Sequence, residues 1–263
     1  MSATFAVVSR GLRNLLRRAG FDLRRYHPSS SQHCALNLLL RHLQIDLVLD
    51  VGANTGQTGV ELFGSGFPGR VVSFEPLADA HAELTRKAAR HARWTAYPRT
   101  AVGAVTGEVA IQVAANSVSS SVLPMLQSHL DAAPGSHIID SQLVPMVRLD
   151  DVAGEYLHDS KAALLKVDTQ GFEWAVLDGA LETLVKVAAV QLELSLVPLY
   201  GGQKLWREYV DRMDRHDFQL FYAYPAFTDA HTGQTLQWDA MFVRKPLVKA
   251  LSRVTETDTS SAE

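Results

Sequence analysis

Cysteine is almost missing from this chain of 263 residues, where Cys34 stands alone. A single thiol closes no internal disulfide, so a reducing compartment is expected and a disulfide-stapled scaffold is excluded. Zinc ligands are equally scarce. No Cys-x-x-Cys pair exists, and His129, His137, His216 and His231 have no mutual spacing that reads as a zinc site. No run of roughly 18 apolar residues occurs, which leaves no candidate for a membrane-spanning helix. Excess charge is lacking too: 25 Lys and Arg against 28 Asp and Glu give a net charge of −3, no global argument for a polyanionic partner. What remains is ordinary for one large globular domain, with 47% hydrophobic and 20% charged residues.

That average hides an asymmetry at the start. Residues 1–27 hold six arginines (Arg10, Arg13, Arg17, Arg18, Arg24 and Arg25) and one acid, Asp22, a local balance of +5 that leaves −8 for the rest. Phe5, Val8, Leu12, Leu15, Leu16 and Ala19 recur at helical spacing, so a short basic amphipathic helix is expected. It would lie on an anionic membrane surface, dock on its own domain, or pair with a partner. The apolar stretch at 5–8 is too short for a secretory leader, and charge follows it. The expected division is therefore a basic helix and linker over 1–31, a main domain over 32–249 and a polar tail over 250–263, with a cytoplasmic location that includes peripheral contact at the inner membrane face.

The stretch that organises the main domain is LVLDVGANTG, residues 47–56. An uninterrupted apolar run ending in Asp50 reads as a strand buried on both faces, and open α/β sheets bind ligands at the carboxyl ends of such strands. Gly52 and Gly56 supply a turn that lets backbone come close to a ligand. Two phosphate signatures fail at this turn. Asn54 and Gln57 replace the second and third glycines of G-x-G-x-x-G, and no Lys-Ser or Lys-Thr pair follows as a P-loop needs. A ligand with a cationic amino-acid end and an adenosine end fits better. Asp50 would help to fix the methionine-like part of S-adenosylmethionine, and Glu75, which ends VVSFEP 25 residues later, would take both ribose hydroxyls. The bland alternative is a buried strand followed by an ordinary left-handed turn.

Strand and helix signals then alternate. Helices are expected over 55–63 and 77–90 and strands over 71–74 and 94–97, before an insertion too long for a simple crossover. Within it, 108–114 reads as a strand with Ile111 and Val113 on one face, 116–121 as small polar residues and 124–136 as a loop or short helix, and the insertion ends with 144–149 and Asp150-Asp151. Insertions beside strand ends often carry ligand contacts. Residues 163–167 resume the strand signal and end in Asp168; 172–184 reads as one helix, and 188–194 as a strand containing Glu193. Residues 218–223 and 241–244 read as terminal, partly antiparallel strands. The alternation implies an α/β fold, a mostly parallel, doubly wound sheet with helices on both faces.

Several stretches together resemble the FkbM family of S-adenosylmethionine-dependent O-methyltransferases: VLDVGANTGQ, VVSFEP, SVSSSV, VRLDD, LLKVDTQGFEWAVLDGA and VQLELS, within residues 45–245. KVDTQGFE followed by LDGA is the most specific of them. The resemblance implies a Rossmann-like class I methyltransferase fold with a terminal antiparallel strand and S-adenosyl-L-methionine as cofactor. It implies Asp50, Gly52, Ala53, Asn54, Thr55, Gly56, Glu75, Pro76 and Ala101 as cofactor contacts, and a sugar hydroxyl of a small molecule or glycolipid as acceptor. A weakly nucleophilic hydroxyl needs a base, for which Asp168 is the first candidate, with Glu173 and Glu193 sharing the pocket. Each has a structural alternative: Asp168 as a cofactor ligand or helix cap, Glu173 as the holder of its turn, Glu193 as a satisfied buried acid. Asp150 and Asp151 read as a helix start. Oxygen ligands from Asp150, Asp168 and Glu193 would suit Mg²⁺, but their convergence is not visible and no metal is expected. A lid over 197–202 with Trp206, and aromatic faces from Tyr222, Tyr224, Phe227 and Trp238, are the expected acceptor contacts. Two competing readings are a non-catalytic cofactor-binding module and a nucleic-acid methyltransferase. The second lacks an Asp/Asn-Pro-Pro-aromatic motif, and the acidic body disfavours phosphate.

Overall fold

The computed structural model describes residues 14–251. The chain divides into two compact units between Leu40 and Arg41, later than the 31/32 boundary expected from sequence. In the first unit, residues 14–18 are helical and Asp22 bridges Arg17 and Arg24 at 3.1 and 2.8 Å. The first half of the expected basic helix, with Phe5, Val8 and Leu12, lies outside the described residues, as does most of the expected tail.

The second unit is built on a seven-stranded sheet. The boundary falls inside α1 (Gln32–His42), after which the elements β1 (Leu47–Val51), α2 (Gln57–Gly64), β2 (Arg70–Phe74), α3 (Ala78–Ala88) and β3 (Trp94–Ala96) follow in turn. Beyond the insertion come β7 (Ala163–Val167), β8 (Ala189–Ser195), β9 (Phe218–Thr228) and β10 (Thr235–Arg244). The spatial order is β3-β2-β1-β7-β8-β10-β9, with only β10 running against the others. β1 can hold the centre because all five of its residues are buried. A strand covered on both faces needs such an unbroken apolar run.

The order of strands reverses between β1 and β7, so the chain leaves those two strands in opposite directions and opens a crevice at their carboxyl ends. Register puts chemistry beside it. Ser73, Asp50, Lys166 and Gln191 are direct neighbours across β2, β1, β7 and β8, and Asp239 faces Glu193 across β10 and β8. Cross-strand partners share a face, so Ser73, Asp50, Lys166 and Gln191 form one row, with Glu193 and Asp239 two residues further along the same face.

The long insertion folds as a second, three-stranded sheet made of β4 (Ala101–Val102), β5 (Gly107–Ala114) and β6 (Ile138–Val147), in the order β4-β6-β5. A short helix, α4 (Gln127–Ala132), lies between β5 and β6. Ile111 and Val113 do face one cluster, packing with Leu77, Ala101, Val144 and Met146. Two short helices, α5 (Leu149–Val152) and α6 (Gly154–Leu157), return the chain to β7. The single helix expected over 172–184 is two, α7 (Glu173–Asp178) and α8 (Leu181–Lys186). The terminal strands are longer than expected and form an antiparallel hairpin behind α9 (Trp206–Arg215).

Candidate active site

A cavity of about 430 Å³ opens at the carboxyl ends of β1, β2, β7 and β8, with the insertion forming its opposite wall. The turn after β1 forms one side. Its N–H groups are all committed: those of Gly52 and Ala53 to Phe74 O at 3.0 Å, Asn54 to Glu75 Oε2, Thr55 to Asn54 Oδ1 and Gly56 to Ala53 O, each of these three at 2.8 Å. None is left to cradle a phosphate, the physical reason this turn is not a dinucleotide site.

Glu75 supplies acceptors instead. Its two oxygens receive the N–H groups of Asn54 and Leu77, each at 2.8 Å, and each oxygen keeps a second lone pair for a hydroxyl. Burial raises its pKa to about 7 against those two hydrogen bonds, and the charges of Asp50 and Asp168 add to the rise.

Gly52, Ala53, Asn54, Glu75, Pro76 and Ala101 line the cavity as expected contacts. Asp50, Thr55 and Gly56 do not. Asp50 is fully buried within the sheet, where Ser73 Oγ donates to its Oδ2 at 3.1 Å and Lys166 Nζ lies 3.7 Å from Oδ1, so it stands behind the wall. Its pKa is raised by burial, with Lys166 and Ser73 opposing. Thr55 is turned to Lys87, whose Nζ donates to its carbonyl at 2.7 Å. Gly56 is demanded by packing and conformation: at φ +85° it faces Trp94, whose ring a Cβ would meet at 2.9 Å.

Of the expected catalytic acids, Asp168 and Glu193 reach the cavity and Glu173 does not. Glu173 is buried under its own turn. Its Oε1 accepts the N–H groups of Thr169 and Gly171 at 2.9 and 3.1 Å, and Tyr209 donates to Oε2 at 3.4 Å. Burial raises its pKa to about 7. It therefore shapes the turn that presents Asp168 and does not face the cavity.

Asp168 lies two residues beyond Lys166, so alternation sends both side chains the same way, and Nζ approaches Asp168 Oδ2 at 3.3 Å. Burial alone would lower the Lys166 pKa; the charges of Asp168, Asp50 and Asp239 outweigh it and raise it, keeping the ammonium charged. The amide of Gln170 donates to Asp168 Oδ1 at 3.0 Å and to Glu193 Oε2 at 2.6 Å, and Gln237 donates to the same Glu193 oxygen at 2.7 Å. Glu193 is raised well above the usual carboxylate range by burial first, then by the charges of Asp168, Asp239 and Glu173.

Asp150 lies elsewhere, held by Thr183, and among the described residues no group of three or more His, Cys, Asp or Glu side chains is placed to hold a metal. The stretch 197–202, expected as a lid, does not line the cavity: Leu199 and Tyr200 are buried behind it, and Tyr200 Oη lies 3.0 Å from both Ser119 O and Gln170 Oε1. Phe227 is the one of the four proposed aromatics that lines the cavity; Tyr222 packs on Tyr224, and Trp238 on Trp206. Sequence reasoning left Lys166 open and missed Gln170, Gln237, His129 and the contacts from Asn116, Ser117, Ser119 and Ser121. The polar run 116–121 beside a strand end was the signal for that wall.

The fit to the cofactor rests on two features of this cavity. Glu75 offers acceptors where a phosphate site would offer donors, and the carboxyls of Asp50, Asp168, Glu193 and Asp239 around a single ammonium favour a cationic ligand. With the strand order described above, this defines a Rossmann-like class I methyltransferase that uses S-adenosylmethionine. The chain belongs to the FkbM methyltransferase family, the Methyltransferase FkbM domain matching residues 50–220, more than half of its length. Comparison with curated protein sequences gives no significant match.

Among solved structures, the chain is similar to an rRNA methylase from Streptococcus thermophilus, with 12% identity, a TM-score of 0.43, and coverage of 85% of this chain and 99% of that one. It is similar as well to magnesium protoporphyrin IX methyltransferase from Synechocystis PCC 6803 with bound SAM, with 11% identity, a TM-score of 0.41, and coverage of 88% and 89%. A precorrin-6y C5,15-methyltransferase from Geobacter metallireducens GS-15 gives 10% identity, a TM-score of 0.42, and coverage of 82% and 90%. At such scores these likenesses carry no argument about the acceptor. Among the described residues no helix is long and apolar enough to cross a membrane.

Proposed function

We propose that this methyltransferase acts on oxygen, methylating a hydroxyl of a sugar-bearing small molecule or glycolipid. The observation that carries the reading is the carboxyl pair Asp168 and Glu193, joined through one Gln170 amide on the cavity wall. When bound, S-adenosylmethionine supplies a methyl group activated on sulfur. A hydroxyl attacking it must lose a proton, and a carboxylate made more basic by burial can accept that proton near neutral pH. As the hydroxyl oxygen takes the methyl group that the bound cofactor would supply, with the sulfur keeping the bonding pair, its proton would pass to the carboxyl pair.

Elsewhere in the cavity lining, serines of 117–121 and the ring of Phe227 offer polar and apolar contacts that suit the two kinds of surface on a sugar. On this reading Glu75 holds the ribose hydroxyls, while Gly52, Ala53, Asn54, Pro76 and Ala101 shape the cofactor side of the cavity.

The test is methyl transfer from isotopically labelled cofactor to a panel of methyl glycosides and extracted glycolipids, with the product bond identified by mass spectrometry. Asp168→Asn and Glu193→Gln should each lower turnover at saturating cofactor about 10²-fold or more, a larger loss than the accompanying fall in cofactor affinity. Near-normal turnover in both variants would remove the pair as base; methyl transfer to nitrogen or to RNA would overturn the acceptor class.

A further inference from the structure

Two acids on one cavity wall repel each other, and each loses hydration there. Such a pair tends to hold a proton and then serves poorly as a base. Gln170 stands where it can oppose this. It occupies the left-handed region at φ +53°, and Ser121 Oγ donates to its carbonyl at 2.7 Å, so its backbone is held in a conformation that few residues adopt freely. Its amide nitrogen carries two N–H groups, and both are used, one toward Asp168 Oδ1 at 3.0 Å and one toward Glu193 Oε2 at 2.6 Å. The other end of the amide, Oε1, lies 3.0 Å from Tyr200 Oη. A hydroxyl donating to Oε1 fixes which way the amide faces, because the opposite orientation would set Oε1 against two carboxylates. Tyr200 is 1% exposed and wedged beside Leu199 and Leu236, so its hydroxyl has little freedom to leave.

We propose that Gln170, oriented by Tyr200, is a positioning residue that holds the Asp168 and Glu193 carboxyls side by side, aimed into the cavity, and favours the ionised form of Glu193. It rests on the reading of that pair as the proton acceptor. The amide carries no charge and takes no proton; it acts by hydrogen bonds that only the ionised carboxylates accept fully. Lys166 contributes from the Asp168 side and Gln237 from the Glu193 side, and Gln170 hydrogen-bonds to both acids. Tyr200 has a single O–H, and the carbonyl of Ser119 on the insertion lies at the same 3.0 Å, so it competes with Gln170 Oε1 for that proton and the acceptor wall bears on the orientation of the amide.

The test needs no acceptor. The carboxyl carbon of Glu193 is followed by ¹³C NMR from pH 5 to pH 9 in the full chain saturated with S-adenosylhomocysteine, with the signal assigned by its loss in Glu193→Gln. In Gln170→Met the midpoint should rise by about one pH unit or more, a tenfold gain in proton affinity, because a donor to the charged form is gone. Tyr200→Phe should move it in the same direction by less, since the amide remains but is free to turn. Affinity for S-adenosylhomocysteine should change less than threefold in both. If the midpoint stays at the wild-type value in Gln170→Met, or in Tyr200→Phe where the first variant does not fold, the proposal is wrong. A failure to find any methylated sugar would sink the proposed acceptor class while leaving this titration intact, so the two failures are distinguishable.

Discussion

Gly52 shows how far a single residue can be read. The sequence marks it as a place where backbone must come close to something, and a bound ligand was the natural candidate. In the structure the close neighbour is the chain itself: a Cβ at Gly52 would lie 1.8 Å from the carbonyl oxygen of Asp168, and the residue holds φ +80°. The turn after β1 and the turn after β7 therefore touch, and the glycine sets how near Asp168 stands to the cofactor side. Gly52→Ala should destabilise the fold by about 3 kcal/mol or more and abolish cofactor binding, because either turn must move. Gly66 is the control. It has φ +83° with nothing within 4 Å, so Gly66→Ala should cost only the backbone strain, about 1–2 kcal/mol. Denaturant unfolding of the two variants checks the difference; equal losses would mean that φ alone explains Gly52. Asp50 and Glu173 follow the same lesson. Their residue type announced a polar site, but which side of the wall each occupies depends on neighbours from other strands.

At the scale of elements, β1, β2, β7 and β8 are legible to within a residue because strands buried on both faces carry continuous apolar runs ending in an acid or a polar turn. Of the second sheet, β5 was legible, expected over 108–114 and found over Gly107–Ala114, but β6 was not, because it exposes most of its ten residues and contains Pro145. The break between α7 and α8 was also hidden, because its cause lies 33 residues upstream. Asp150 accepts the N–H groups of Glu182 and Thr183 at 3.1 and 2.8 Å and the Thr183 hydroxyl at 2.9 Å, capping α8 from a distant segment. Its own N–H donates to Gly179 O at 2.9 Å, and a Cβ at Gly179 would strike Gly103 O at 2.0 Å. Asp150→Ala should therefore cost about 2–4 kcal/mol, since a buried cluster of donors loses its acceptor. Asp151→Ala should cost less than about 1 kcal/mol, its side chain being 47% exposed. Comparable losses in thermal and denaturant unfolding would refute the capping role.

At the scale of the whole molecule, the site sets how stability responds to pH. Glu75 and Glu173, 4% and 2% exposed, have pKa values raised from 4.5 to about 7, and Asp50 and Glu193 are raised in the same sense, chiefly by burial. The folded chain therefore binds more protons than the unfolded chain once pH exceeds the ordinary carboxylate value. Stability from these groups is fully present below about 4.5 and is lost as pH rises through about 7. His129 and His216 act in the opposite direction below their ordinary value of 6.5, because burial lowers both. Between pH 6.5 and 8 each histidine offsets only a few tenths of a kcal/mol, about RT ln 2, so the carboxyls dominate that window. Across it Glu75 and Glu173 should each cost the fold about 1 kcal/mol, so the apo protein should melt several degrees lower at pH 8 than at pH 6.5. Glu173→Gln keeps an acceptor for Thr169 and Gly171 but cannot ionise, and it should flatten the slope by about half of that two-residue total. Bound cofactor should flatten it as well if Glu75 receives the ribose hydroxyls, because hydrogen bonds to the ionised form lower its pKa in the complex. Saturating S-adenosylmethionine should then raise the melting temperature more at pH 8 than at pH 6.5, and Glu75→Gln should erase that difference. An equal rise at both values in the wild-type protein would mean that the cofactor does not touch Glu75.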